Sequence, residues 1–313
     1  MKKPLVVIIG PTAVGKTEIS IEIAKKIDGE IISADSMQIY KHMDIGSAKP
    51  SMEEQDNIPH YLMDEIDPRE EFSVAQYQKM AKEYIDKILS KGKLPVIVGG
   101  TGLYINSIIY NIDFTATVSN WDLRKRLEEE ARKYGNEYIH DQLRRIDPDA
   151  AQRIHPNNVK RVIRALEVYY EGGEKIKDFQ ESLVENPDYQ YVMIGLIRDR
   201  KELYERINLR VDLMMQQGLI EEVKKLMTLG LDIDAISMKG LGYKEVIRYL
   251  KGDYSLKTAV DILKRDTRRY AKRQITWFKR YDKIQWFDVG AYGEKEALVN
   301  DITNFIEGKL NLL

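Results

Sequence analysis

Residues 10 to 17 read Gly10-Pro11-Thr12-Ala13-Val14-Gly15-Lys16-Thr17, a complete G-x-x-x-x-G-K-T string directly after the apolar run Leu5–Ile9. Glycines at these positions let the backbone curl so that several N–H groups point inward at phosphate oxygens. Lys16 adds a mobile cation, Thr17 offers a hydroxyl to Mg²⁺, and the next helix presents its positive N-terminal end. The string specifies a diphosphate or a triphosphate, and not which of the two. Two further segments carry groups suited to chemistry on a phosphate-bearing substrate. Ser33-Ala34-Asp35-Ser36-Met37-Gln38 follows a second apolar run, and Gly99-Gly100-Thr101-Gly102 follows a third. Asp35 could act as a general base beside bound phosphates, or cap a helix, or support Mg²⁺ from behind. Thr101 could donate a hydrogen bond to a leaving oxygen, or merely stand in a tight turn. An ATPase usually carries a Mg²⁺-holding acid at the end of a core strand, whereas here a hydroxyl stands between glycines.

Two basic features complete the set. Arg206 and Arg210 lie four apart on one helical face in LYERINLRVDLM, spaced either for solvated ion pairs with Glu202, Glu205 and Asp212 or for an arginine fork on phosphate oxygens. From Lys264 to Arg280 there are eight Lys or Arg and one acid, Asp266. At about 100° per residue, Arg265, Arg268, Arg269, Lys272, Arg273, Lys279 and Arg280 fall on one side of a helix. Leu263, Thr267, Tyr270, Gln274, Trp277 and Phe278 fall on the other. A basic face so poor in acids suits a phosphate backbone better than plain solvent, and it sets a local field despite the formal net charge of −1.

The elements that must position these residues alternate. Strands are expected at Leu5–Ile9, Glu30–Ala34, Leu94–Val98, Tyr189–Ile197 and Lys283–Val289, with helical patterns between them, beginning at Glu18–Ile27. That pattern is an α/β class with a parallel sheet covered on both faces, and in such sheets ligands sit beyond the carboxyl ends of the strands. About ninety residues separate the third strand from the fourth, far more than a crossover needs. The polar helical stretch between them, including Asp122–Tyr134 and Asn158–Tyr170 and broken near Gly172-Gly173, is expected to be an inserted helical subdomain over 115–187. The core then comprises 1–114 together with 188–313. Lys201–Leu229 is expected to continue as helix.

Composition excludes several classes. Of 313 residues, 43 % are hydrophobic and 32 % charged, as in a globular protein, and with no cysteine there is neither a disulfide nor cysteine-ligated zinc. His42, His60, His140 and His155 show no metal-ligand spacing and are expected on the surface or in loops. No apolar run approaches the roughly 20 residues of a membrane helix, and Gly10-Pro11 ends the N-terminal one too early for a signal peptide. A cytoplasmic location, no membrane association and a monomeric chain are the expectations.

Taken together, GPTAVGKT (10–17), IISADSMQIY (31–40), GGTGLY (99–104), RDRKELYERINLRVDLM (198–214), GLGYKE (240–245) and TRRYAKRQITWF (267–278) resemble the tRNA dimethylallyltransferases, also called tRNA isopentenyltransferases. The resemblance spans almost the whole chain. It implies a P-loop core like that of nucleotide kinases, with a helical insertion gripping the tRNA anticodon stem-loop. It also implies transfer of a dimethylallyl group from its diphosphate to the exocyclic amine of the adenine 3′ of the anticodon. Matched by motif, it assigns Asp35 as base and Thr101 as the hydroxyl at the bridging diphosphate oxygen. Gly10, Pro11, Thr12, Ala13, Val14, Gly15, Lys16 and Thr17 hold dimethylallyl diphosphate with Mg²⁺, with Arg210 or Arg206 as a further diphosphate ligand. Asp35, Ser36, Met37, Gln38 and Thr101 meet the target base. Arg124, Val159, Lys160, Arg161 and Arg164 are implied tRNA contacts in the insertion, where Val159 and Lys160 depart from the family's usual lead-in. Arg268, Arg269, Lys272 and Arg273 extend the tRNA surface on the basic helix.

The chemistry is consistent with these residues. An adenine amine is a poor nucleophile because its lone pair is delocalised into the ring, so a carboxylate that removes its proton helps. Diphosphate leaves well once its charge meets cations and donors. Two other enzymes fit part of the pattern: a P-loop kinase of a small molecule, and an adenylate isopentenyltransferase acting on free nucleotide. A catalytically inert RNA-binding P-loop module would leave Asp35 and Thr101 without a role.

Overall fold

A computed structural model describes residues 2–112, 120–175 and 184–311. The chain separates into two compact units. One comprises Met1–Ile109 with Asn186–Leu313, and the other is Tyr110–Glu185. The expected boundary at 115 lies outside the described residues.

In the first unit, β1 (Lys3–Ile9) leads through the glycine loop into α1 (Lys16–Lys26), followed by β2 (Gly29–Ala34), a two-residue β3 (His60–Tyr61), α2 (Val74–Ser90), β4 (Leu94–Gly99) and α3 (Gly102–Ile109). The second unit contains α4 (Trp121–Tyr134), α5 (Asn136–Ile146), α6 (Pro148–Arg153) and α7 (Val159–Gly172). The chain then adds β5 (Tyr189–Ile197), α8 (Arg200–Gln217), α9 (Leu219–Thr228), α10 (Tyr243–Leu250), α11 (Leu256–Phe278), β6 (Ile284–Asp288) and α12 (Lys295–Leu310) to the first unit. All five expected strands are present within two residues of their expected ends. The sixth, β3, is too short to leave a periodic signal.

The sheet is wholly parallel in the order β3-β2-β4-β1-β5-β6. Its central strands are continuous apolar runs because both faces are covered. Leu5, Val6, Val7, Ile8, Ile9, Val96 and Ile97 are all fully buried. Register aligns the carboxyl ends: Gly99 of β4 pairs with Ile9 of β1 on one side and with Ala34 of β2 on the other. Three neighbouring strands therefore release their loops at one level, and these are the loops that carry Lys16, Asp35 and Thr101.

Local sequence explains the helix ends. Ser73 and Gln76 form a reciprocal capping box at α2, Asp199 caps α8 through the amides of Lys201 and Glu202, and Ser255 caps α11. The expected continuous helix over 201–229 is instead two helices. Gly218 adopts φ 100°, which closes α8 and opens α9, a conformation that favours glycine and reverses the chain. In the second unit, Leu123, Leu127, Ile139, Leu143, Val162 and Leu166 form a core of their own, and Gly173 at φ 68° ends α7. Among the described residues no helix is long and apolar enough to cross a membrane.

Candidate active site

The loop after β1 wraps tightly. Ala13 (φ 64°) and Gly15 (φ 108°) both adopt the left-handed region, which turns successive amides toward one concavity. Lys16 at the start of α1 is half-buried and curls over its own loop, with Nζ donating to the carbonyls of Gly10 (3.0 Å) and Pro11 (2.9 Å). Burial lowers its ammonium pKa to about 8. The charge of Asp35 opposes that shift and the charge of Arg210 adds to it. Lys16, Asp35 and Arg210 thus share one electrostatic environment although 194 positions separate the outer two.

Three arginines of the β5–α8 region close on the same loop. Arg198 Nε donates to the carbonyl of Val14 (3.0 Å) and Arg206 Nε to that of Ala13 (3.0 Å). Arg210 Nη1 donates to the hydroxyl of Thr12 (3.4 Å). The two members of the Arg206/Arg210 pair therefore differ in kind. Arg206 is exposed and braces the outside of the loop. Arg210 is half-buried beside Thr12, and burial depresses its pKa against the pull of Asp35.

Asp35 directly follows β2. Its Oδ1 accepts from the amides of Met37 (2.9 Å) and Gln38 (3.4 Å), so one carboxylate oxygen fixes the turn and the other takes part in neither bond. Asp35 thus caps a turn and not the helix start expected as one alternative, and those bonds leave its second oxygen available to act as a base. Thr101 follows β4 with its amide on the carbonyl of Ala34 (3.1 Å), and its Oγ1 accepts from the amide of Ser36 (3.2 Å). Its own hydroxyl proton is not used in that bond. The β2 and β4 turns are thus tied to each other through Ser36 and Thr101.

Beyond Asp35, Met37 lies against Gly240, where an added Cβ would approach its Sδ to 2.7 Å. Gln38 is engaged within its own loop. Its Oε1 accepts from Ser33 (3.0 Å), and its Nε2 donates to the carbonyls of Ser47 (3.4 Å) and Ala48 (3.3 Å). The same loop is held by Glu222, whose carboxylate accepts from the amides of Asp44 (2.9 Å), Ile45 (2.8 Å) and Gly46 (3.0 Å) and from the hydroxyl of Tyr243 (2.9 Å). The GLGYKE segment therefore serves as the seat of this loop.

Helix α11 has the two faces expected of it, with a sharper division of labour. Arg269, Lys272 and Arg273 are exposed. Arg268 is half-buried and donates to Asn208 Oδ1 (2.6 Å), while Lys264 pairs with Asp212. The inward face does more than dock. Gln274 Oε1 accepts from the amide of Thr12 (2.9 Å) and its Nε2 donates to the carbonyl of Gly100 (3.0 Å). The Tyr270 phenol lies beside Thr101 and Gln274, and burial, with the charge of Asp35, raises its pKa. Trp277 covers Gly102, where a Cβ would fall 2.1 Å from its Nε1. Reading this face by polarity as a core stripe misses Tyr270 and Gln274 as site residues, and Glu222 on α9 is missed in the same way. The available signal is a Gln or Glu on a buried helical stripe, which must find a partner.

The second unit treats its basic residues unequally. Arg124 is bidentate on the fully buried carboxylate of Glu167, through Nε (2.8 Å) and Nη2 (2.9 Å), and Arg164 pairs with the same group. The two arginines hold the Glu167 pKa down against the effect of burial, which alone would raise it. Val159 packs against the unit's core, whereas Lys160 and Arg161 are exposed. His140 is not a surface residue. It is 4 % exposed, with Nε2 facing the carbonyls of Ala151 (3.1 Å) and Ile154 (2.8 Å). Glu137, His140 and Asp141 have ligand-capable atoms within 4.8 Å of one another, but Nε2 sits on carbonyls and Nδ1 on Arg144, which leaves the imidazole serving the fold.

The IPP transferase family model matches residues 38–281. A tRNA dimethylallyltransferase of Alkaliphilus oremlandii (strain OhILAs) is 60 % identical over 313 residues, covering 100 % of both chains. The solved full-length tRNA isopentenylpyrophosphate transferase of Bacillus halodurans is 47 % identical, with TM-score 0.75, covering 99 % of this chain and 97 % of the other. A eukaryotic dimethylallyltransferase acting on tRNA is 28 % identical, with TM-score 0.82, covering 98 % of this chain and 80 % of that one. The chain belongs to the IPP transferase family, the family of the tRNA dimethylallyltransferases.

Proposed function

We propose that this chain transfers a dimethylallyl group from dimethylallyl diphosphate to the exocyclic amine of the adenine 3′-adjacent to the anticodon of tRNA, releasing diphosphate. The observation that carries the proposal is the meeting of the Asp35 carboxylate, the Thr101 hydroxyl and a phosphate loop at the aligned ends of β2, β4 and β1. The C–N bond to the prenyl carbon forms as the bond from that carbon to the bridging diphosphate oxygen breaks. The amine proton passes to Asp35, and the departing oxygen takes the hydrogen bond of Thr101. Lys16, Arg210 and the loop amides receive the negative charge left on the diphosphate.

Mg²⁺ fits the same cradle. Thr17 is exposed at the start of α1, and one hydroxyl together with substrate phosphates and water is the donor set this ion usually takes. When bound there, it would neutralise charge on the diphosphate. On the RNA side, Ser36, Met37 and Gln38 line the approach to Asp35. The exposed Arg269, Lys272 and Arg273 of the first unit, and Lys160 and Arg161 of the second, offer phosphate contacts. Arg124 and Arg164, tied to Glu167, shape the surface of the second unit. The target adenine must leave its stack to reach Asp35.

The experiment is a choice of acceptor. With Mg²⁺ and labelled dimethylallyl diphosphate, unmodified tRNA is expected to take up label. The same tRNA with guanine at that position, and free AMP, are expected to take up none. Labelling of AMP in preference to tRNA would replace this proposal with the free-nucleotide enzyme.

A further inference from the structure

Gln274 occupies an unusual place for a polar side chain. It is 5 % exposed on the inner face of α11, and its carboxamide spans two separate turns: the phosphate loop at Thr12 (2.9 Å) and the β4 turn at Gly100 (3.0 Å). These turns carry Lys16 and Thr101. The contact at Gly100 is close enough that an added Cβ would stand 2.1 Å from Gln274 Nε2. One acceptor for an amide and one donor for a carbonyl is what a carboxamide supplies. An aliphatic side chain supplies neither, and a carboxylate would set an oxygen against the Gly100 carbonyl.

We propose that Gln274 is a positioning residue for departure of the leaving group: it sets the distance between the phosphate loop and the Gly100–Thr101 turn, so that Lys16 and Thr101 address the same departing diphosphate. This inference rests on the prenyl-transfer reading. Donors stabilise a developing charge only if they are already placed where it appears, and a displacement of about 1 Å at such a site can cost about 100-fold in rate. The basic helix then has two roles by face. Arg269, Lys272 and Arg273 look outward, and Gln274 holds the reacting end together.

The test uses Gln274→Met, which keeps the volume and removes both bonds, and Gly100→Ala, which displaces the carboxamide without altering it. For each folded variant, kcat and KM are measured for donor and tRNA, together with tRNA Kd. Expected are a fall in donor kcat/KM of about 10- to 100-fold, expressed partly in kcat, and tRNA Kd within about twofold of wild type. The double variant is expected to be no worse than the worse single one, because both remove one link. Either variant, when folded, retaining donor kcat/KM within about twofold of wild type would overturn the proposal. So would a loss confined to tRNA affinity, or losses that multiply in the double variant. Titration of inorganic diphosphate keeps the two readings apart. Wild-type protein that binds diphosphate without transferring a prenyl group would refute the reaction. Gln274 would then be judged by diphosphate Kd, expected to rise about fivefold or more in Gln274→Met, with no rise refuting its role.

Discussion

Glu222→Gln tests how firmly the loop behind Asp35 is held. Three successive amides, those of Asp44, Ile45 and Gly46, converge with the Tyr243 hydroxyl on this one carboxylate. Oε2 serves Asp44 and Ile45, and Oε1 serves Gly46 and Tyr243. A carboxamide keeps one oxygen, so two of the four donors would face an NH₂ group. Hydrogen bonds to a charged acceptor contribute about 1.5–3 kcal/mol each. Two losses, softened by loop relaxation and entry of water, give about 2–4 kcal/mol of destabilisation. Tyr243→Phe removes one of these bonds and is expected to cost about 1.5–3 kcal/mol. The strain would propagate, because the carbonyls of Ser47 and Ala48 immediately beyond hold the amide of Gln38, three residues from Asp35. The phosphate loop is held by other residues, namely Arg198, Arg206 and Gln274. Urea unfolding and steady-state kinetics read both consequences. The variant should unfold at lower urea, with a raised KM for tRNA and an unchanged Kd for inorganic diphosphate. Glu222→Gln within about 0.5 kcal/mol of wild type, a change typical of an unremarkable surface site, would refute the reasoning.

Other perturbations address the reacting groups. Asp35→Asn can keep Oδ1 on the Met37 and Gln38 amides while removing the proposed base, so single-turnover transfer should slow by about 10²–10⁴ with tRNA affinity nearly intact. An equal loss in affinity would assign Asp35 to recognition. The ammonium of Lys16 has its pKa lowered to about 8, so its cationic form is complete below that value and is lost as pH rises through it. Donor kcat/KM, which reports the free enzyme, should therefore fall above about pH 8, and that fall should disappear in Lys16→Met. Replacing Arg269, Lys272 and Arg273 together by Glu should weaken tRNA binding and reduce the slope of log Kd on log salt by about two to three. An unchanged slope would return that face to solvent.

Much of the site could be read from local pattern, because its parts lie at strand ends. The apolar runs of β1, β2 and β4 located the loops carrying Lys16, Asp35 and Thr101, and parallel pairing put those ends side by side. What could not be read depends on contacts across long stretches of sequence. Gln274 meets Thr12 across 262 residues and Glu222 meets Asp44 across 178. Nothing near either residue names its partner, although its place on a buried stripe shows that one must exist. Arg124 and Arg164 illustrate the converse. The family resemblance implies both as tRNA contacts, yet the buried Glu167 claims both, since a buried carboxylate without cations costs far more than two arginines withdrawn from solvent. Gly218 shows that a helical period continues through a glycine on paper, while its left-handed backbone divides α8 from α9.

The central claim is that the cradle at Gly10–Thr17 delivers a leaving group and not a phosphoryl group. It is tested most directly with a donor labelled separately in its prenyl and diphosphate portions, incubated with unmodified tRNA, Mg²⁺ and an excess of ATP. The account predicts that prenyl label enters tRNA in equal amount with released diphosphate, and that ATP is neither consumed nor required. Phosphate release from ATP with no prenyl label in the tRNA would contradict it.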